Sequence, residues 1–388
     1  MMCGCGVKLG DGLATVRCGV LAAPTYEQEA LMTAHTRADL ESLPGYVPGR
    51  SVPGAVKLAS NEVSAGPLPS VVAAIRYAAT GVNRYPDNRA TALVDRLAAR
   101  LDVPPSQLVV GAGSVALCQQ LVQATCTLTD EVLFAWRSFE AYPIITQIAG
   151  ARKRTIPLRR DHTHDLTGML EAITPATRLI FVCNPNNPTG TTVQRDELVA
   201  FLNAVPDGVL VALDEAYHEF VTHPAVPDGM ELYRQRDNVA VLRTFSKAYG
   251  LASLRVGYCA APEPVVTALR KVSVPFSVNS LAQAGALASL DVEDEMLARC
   301  RSVAAERDRI RSELITLGYP VPPSQGNFVW LPLGKQTTAF NEHCLEHKVV
   351  IRPFSTDGAR ITIGDPAENE AFLAAARTWP PRHGDISG

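Results

Sequence analysis

Two rhythms of hydrophobic and polar positions run along the chain. Short apolar runs of strand length, EVLFAW, RLIFVCNP, GVLVALDE and NVAVLRTFS, recur through its middle. Between them, and before them in PSVVAAIRYAAT and TALVDRLAARLDV, apolar residues return every three or four positions, which places them on one helical face. LVVGAGSVALCQQLVQATC reads as a strand, a tight glycine turn and a helix. Continuous apolar strands alternating with helices predict a mostly parallel sheet covered on both faces, hence an α/β domain over 76–262. From about residue 260 the pattern turns more helical, and NFVWLPL, VVIRPF and ARITIG then read as short strands. That predicts a smaller α+β domain over 263–380, completed by an N-terminal arm at 32–75 that contains the extended segment VKLAS. Residues 1–31 follow neither rhythm and read as a disordered extension, and 381–388 as a tail.

Length and charge narrow the function classes. The chain has 388 residues, 47% of them hydrophobic, with 36 basic against 39 acidic side chains and a formal net charge of −3. Such a balance offers no electrostatic footprint for nucleic acid or an anionic membrane. No apolar run approaches the roughly 18 residues that span a bilayer. The substrate expected is a small molecule in a pocket. Nine cysteines are scattered, several in apolar runs such as LIFVCNP and VGYCAA, which predicts buried free thiols and a cytoplasmic protein. No metal site is expected: Cys3 and Cys5 lack a second ligand pair, His162 and His164 fall in a charged turn, and His343 and His347 on an exposed helix face. RKRTIPLRR reads as solvated surface.

One motif misleads at first sight. Gly111-Ala-Gly113-Ser-Val-Ala116 fits the dinucleotide fingerprint and lies between a strand and a helix. A nicotinamide dehydrogenase also needs an acid closing the next strand, for the ribose hydroxyl. Here Asp130 and Glu131 open that strand, and it ends in Trp136-Arg137. The loop therefore reads as a phosphate cradle made by a helix N-terminus, with the amides of Ala112 and Gly113 as donors.

Polar residues follow three apolar strands at once. Asn184-Pro-Asn-Asn187-Pro-Thr-Gly190 follows LIFVC, Asp214-Glu-Ala-Tyr217 ends VLVAL, and Thr244-Phe-Ser246-Lys247 ends VAVLR, with Arg255 eight residues beyond the lysine. Ligands of parallel sheets bind at the carboxyl ends of strands, so these groups should converge. A lysine, a carboxylate, a phenol, an amide and an arginine beside a phosphate cradle suit pyridoxal 5′-phosphate.

LASNE, RYPD, NPNNPTG, DEAYHEF, RTFSKAYGLASLRVGY and RITIG resemble the histidinol-phosphate aminotransferase branch of the fold-type I, pyridoxal-phosphate-dependent aminotransferases. Within it, LPGYVPG, VGAGSVALCQQLVQ, WRSFEAYP and PPSQGNFVWLPLG look closest to aromatic amino acid (phenylalanine) aminotransferases. The resemblance spans about residues 37–377. It implies a large cofactor-binding domain with a sheet of the seven-stranded type and a homodimer. By the same resemblance Lys247 forms the Schiff base and moves the proton at the substrate Cα, and Asp214 keeps the pyridine nitrogen protonated. Tyr217 and Asn187 would donate to the cofactor's ring oxygen, although Asn187 between two prolines also reads as a turn former. Arg255, Ser246 and Thr244 would hold the phosphate, Phe139 would stack on the ring, and Tyr85 would reach the neighbouring subunit's phosphate. Arg360 matches the arginine that clamps the substrate carboxylate, Arg352 a second anion binder, and Tyr46 and Asn61 residues that line the pocket.

The expected reaction is amino transfer between aromatic L-amino acids and 2-oxoglutarate. Histidinol-phosphate aminotransferase is the alternative, since the two arginines suit either acid. A nicotinamide dehydrogenase and a catalytically inactive binding protein are the readings from other classes.

Overall fold

Seven strands form one sheet in the computed structural model, which describes residues 36–41, 43 and 52–379. Their order is Leu108–Gly111, Gly257–Ala260, Val239–Thr244, Leu210–Asp214, Thr177–Cys183, Glu131–Trp136 and Arg152–Pro157. Gly257–Ala260 is the one strand reversed relative to the other six. Alternation along the central strands fills two core layers, as a sheet buried on both faces requires. Leu133, Ile180, Val211, Leu213 and Val241 pack on one side. Phe134, Leu179, Phe181, Ala212 and Leu242 pack on the other. The parallel register sets Cys183 beside Asp214 and Asp214 beside Leu242, so the polar residues that follow these strands emerge at one edge of the sheet.

Arg152–Pro157 lies within RKRTIPLRR, where sequence alone indicated only surface. Its side chains are indeed mostly exposed, but its backbone pairs in parallel with Glu131–Trp136 as the sheet's edge. An edge strand needs little apolar patterning, so its composition resembles a loop.

The smaller unit is built on an antiparallel sheet, Arg352–Phe354 beside Gly358–Thr362 beside Phe328–Leu331, with the helices Thr337–Glu346 and Pro366–Arg377. Its core includes Leu58 from the N-terminal segment, and Val56–Lys57 pairs with Val349–Val350. Two helices placed in this unit by the sequence pattern pack elsewhere. Val266 and Leu269 of Glu263–Val272 join one core layer of the large sheet. Ala282, Ala286 and Leu290 of Ser280–Asp291 join the other. Periodicity reveals a helix's apolar face but not which sheet it covers. The helix Glu293–Thr316 serves both cores, with Met296 and Cys300 in the large one and Ile310 and Leu314 in the small one. The expected extension 1–31, the tail 381–388 and Tyr46 lie outside the described residues. Among those described, no helix is long and apolar enough to cross a membrane.

Candidate active site

A cavity of about 560 Å³ opens at the carboxyl ends of the central strands and extends to the strands carrying Arg352 and Arg360. Lys247 follows the strand Val239–Thr244 by three residues and donates from Nζ to Ser60 O at 3.0 Å. Loss of water around the amine, with Arg360 and Arg255 nearby, lowers its pKa to about 7. An amine that sheds its proton near neutrality can act as nucleophile and base.

Asp214 is the last residue of its strand and is 3% exposed. Oδ2 accepts a hydrogen bond of 2.7 Å from the Tyr142 hydroxyl. Oδ1 is buried with no hydrogen-bond partner among the described residues. Burial raises the carboxyl pKa to about 6. A buried carboxylate with one unsatisfied oxygen beside a cavity suits a cationic N–H of a bound ring. The Tyr142 ring is itself fixed, stacked on Phe181 at 4.5 Å and edge-on to Phe139 at 5.5 Å.

Tyr217 is buried and accepts from Asn61 Nδ2 at 2.8 Å. Burial pushes its phenol pKa up. Asn61 has a left-handed backbone, φ +54°, and is clamped by the Thr362 hydroxyl, which accepts from its N–H at 2.9 Å and donates to Oδ1 at 3.1 Å. Asn61 thus acts on the site through Tyr217. In NPNNPTG the turn-forming work falls to the other two asparagines. Asn184 Oδ1 accepts from Val193 N at 2.9 Å, and Asn186 accepts from Ser138 Oγ at 2.7 Å. Asn187 lines the cavity and accepts from Arg360 Nη1 at 2.6 Å.

At the opposite end Arg255 donates from Nη1 to Ser246 Oγ at 3.1 Å and to Ala252 O at 2.9 Å. Thr244 Oγ1 accepts from Ser246 N at 3.1 Å. Gly113, at φ +81°, lies against this guanidinium: a Cβ there would come within 2.3 Å of Arg255 Nη2. The turn also corrects one expectation. The Gly113 N–H is used inside it, donating to Gly111 O at 2.7 Å. Ser114 and Val115, which open the helix Ser114–Thr125, line the cavity in place of Ala112 and Gly113. The helix N-terminus still faces the anion end, one step further along the chain.

Phe139, Arg352 and Arg360 also line the cavity. Tyr85 does not. It is 82% exposed and stacks on Phe276 at 4.6 Å.

The profile of the aminotransferase class I and II family matches residues 53–375. This chain belongs to that family. It is 59% identical to an aromatic amino acid aminotransferase of Rhodococcus jostii, over 90% of this chain and 98% of the relative. It is 56% identical to one of Mycobacteroides abscessus, over 90% and 100%. A solved structure of histidinol-phosphate aminotransferase from Sinorhizobium meliloti, in complex with pyridoxal 5′-phosphate, aligns with a TM-score of 0.82. That match has 30% identity over 89% of this chain and 97% of that one.

Sequence reasoning overlooked several residues that complete this aminotransferase's site. Tyr142 is the second residue of the helix Ala141–Ile148, and Phe139, which precedes that helix, meets its ring edge-on; nothing local in the sequence marked its contact with Asp214. Behind the site Arg243 donates to Glu215 at 2.9 and 2.7 Å and to Asp228 at 2.5 Å. Glu215, His218 and Asp228 are the one group of metal-ligand type among the described residues. Arg243 is ion-paired with both of its carboxylates, so the group reads as a partly buried ion network. His164, expected in a charged turn, is buried at 2% exposure, and burial lowers its pKa to about 4. His343 is half-buried, its Nε2 3.0 Å from Ala375 O and from Thr378 Oγ1, so it joins two helices and is not part of an exposed face.

Proposed function

We propose that this aminotransferase moves an amino group between aromatic L-amino acids, namely phenylalanine, tyrosine and tryptophan, and 2-oxoglutarate. Pyridoxal 5′-phosphate is its cofactor, and when bound supplies an electron sink for the bond that breaks at the substrate Cα. The observation that carries the reading is the donor set of the cavity, above all the unsatisfied buried oxygen of Asp214 at one end and Arg255 beside Gly113 at the other. Asp214 holds a proton at the pyridine nitrogen. Tyr217 and the amide NH₂ of Asn187 serve the ring oxygen, Phe139 the ring face, and Arg255, Ser246, Thr244 and the helix N-terminus the phosphate. Lys247 moves the proton at the substrate Cα. Arg360, a planar fork, binds the substrate carboxylate.

Ala141, Ile144 and Ile148 give the same cavity an apolar wall, which supports an aromatic side chain over a phosphate-bearing one. The test is a comparison of amino acceptors with glutamate as donor. Phenylpyruvate is expected to exceed imidazole-acetol phosphate in kcat/KM, and a phosphate substrate that wins by orders of magnitude would reject the aromatic reading.

The working unit proposed is a cytoplasmic homodimer with Tyr85 reaching the neighbour's phosphate. The six described cysteines, all buried and unpaired, support a reducing compartment. The exposed pair Tyr85 and Phe276, with Val274 70% exposed nearby in sequence, supports an interface. Hybrids of Tyr85→Ala and Lys247→Ala subunits are expected to hold one intact composite site and regain activity that neither homodimer has. Co-expressed hybrids no more active than the parents would remove Tyr85 from the site.

A further inference from the structure

The two arginines of the cavity are cross-strand partners. Arg352 and Arg360 stand opposite one another in the antiparallel strands Arg352–Phe354 and Gly358–Thr362, so their side chains leave the same face of the sheet. Among the described hydrogen bonds, their acceptors differ in charge. Arg360 donates to two uncharged oxygens, Asn187 Oδ1 and Ala59 O, each at 2.6 Å. Arg352 donates from Nη2 to the carboxylate of Glu140 at 2.8 Å. Glu140 directly follows Phe139, and both line the cavity with Ile144 and Ile148 of the helix Ala141–Ile148. Its side chain is 33% exposed, against 14% for Arg352, so the carboxylate can turn to water without becoming a buried unpaired charge.

We infer that Glu140 is a specificity-determining positioning residue that neutralises Arg352 for an uncharged side chain and releases it to a substrate with an anionic far end. The inference rests on the aromatic aminotransferase reading. Under that reading one cavity must accept a flat apolar ring in one half-reaction and a second carboxylate in the other. A guanidinium facing a ring without a counter-charge would be desolvated at a cost. Glu140 supplies the counter-charge while the ring is present. A distal carboxylate can take the place of Glu140 at Arg352, with both of its oxygens available to the guanidinium, and Glu140 then moves into solvent. A phosphate dianion meets stronger repulsion from the same carboxylate, which disfavours phosphate-bearing substrates.

The test uses the Glu140→Gln holoenzyme. Relative to phenylpyruvate, kcat/KM for imidazole-acetol phosphate and for 2-oxoglutarate is expected to rise roughly tenfold, the 2-oxoglutarate gain residing in KM. Equilibrium binding gives a readout free of turnover. Spectral titration with maleate should tighten by a similar factor relative to 3-phenylpropionate. In Glu140→Gln/Arg352→Gln the shift should vanish, because the effect passes through Arg352. Ratios within about twofold of wild type, or a shift that survives in the double variant, would overturn the inference. If the wild-type enzyme turned over no aromatic acid, the functional reading would fail, and the maleate titration would still decide the role of Glu140.

Discussion

Lys247→Ala is expected to lower transamination by at least roughly 10⁴-fold, the upper range for losing a positioned proton-transfer group. The protein should also lose its absorbance band near the visible–ultraviolet boundary. Steady-state kinetics and a spectrum of the purified variant check both, and a variant retaining a tenth of wild-type turnover would assign the chemistry to another group. The depressed pKa of about 7 adds a signature that belongs to the cofactor-free protein. An unfolded lysine titrates near 10.5, so between about 7 and 10.5 the unfolded chain binds more protons than the folded one. Folding stability contributed at this position therefore rises with pH through that window, and the penalty is complete below pH 7. Cofactor-free Lys247→Met should accordingly gain melting temperature over wild type at pH 6 and much less of it at pH 10. An equal gain at both pH values would show that the amine is not desolvated as described.

Asp214→Asn is expected to reduce kcat by about 10²- to 10³-fold, the scale for removing one preorganised electrostatic contact. It should also weaken cofactor binding. Burial raises the Asp214 pKa to about 6, opposed by the hydrogen bond from Tyr142. The folded pKa exceeds that of an unfolded aspartate, so the folded state binds the proton more tightly between about 4 and 6. In the cofactor-free protein stability falls as pH rises through that window, and the cost of the buried carboxylate is complete above about 6. Two results follow. Cofactor-free Asp214→Asn should melt at or above the wild-type temperature at pH 8. Affinity of the wild type for pyridoxal phosphate should decline as pH drops below about 6, where the carboxylate loses the charge that pairs with the ring N–H. Fluorescence titration against pH measures the second, and an affinity flat from pH 5 to pH 8 would disconnect Asp214 from the cofactor.

Much of this site was legible because its residues sit at strand ends. An apolar run that stops at a carboxylate, an amide or a lysine marks both the strand and the polar edge, and Asp214, Asn187 and Lys247 were identified this way. Contributions arriving sideways carried no such mark. Tyr142 reaches Asp214 from a helix, 72 positions away in sequence. Asn61 reaches Tyr217 across 156 positions. Neither spacing has a period. The edge strand Arg152–Pro157 was missed because one-sided pairing leaves its side chains polar and exposed.

The sequence by itself determined the α/β architecture, the strands that carry the site and the chemical identity of its donors, since hydrophobic period and strand-end chemistry are local properties of the chain. Tertiary structure decided what those donors meet. It left one oxygen of Asp214 buried and unsatisfied, used the Gly113 amide inside its own turn, and gave two equivalent arginines different partners. Arg352 and Arg360 are the same residue type on neighbouring strands, and nothing local distinguishes them. Glu140, approaching from the helix beside Phe139, pairs with Arg352, because a charge is countered by whatever lies within a few ångströms, whatever its distance along the chain.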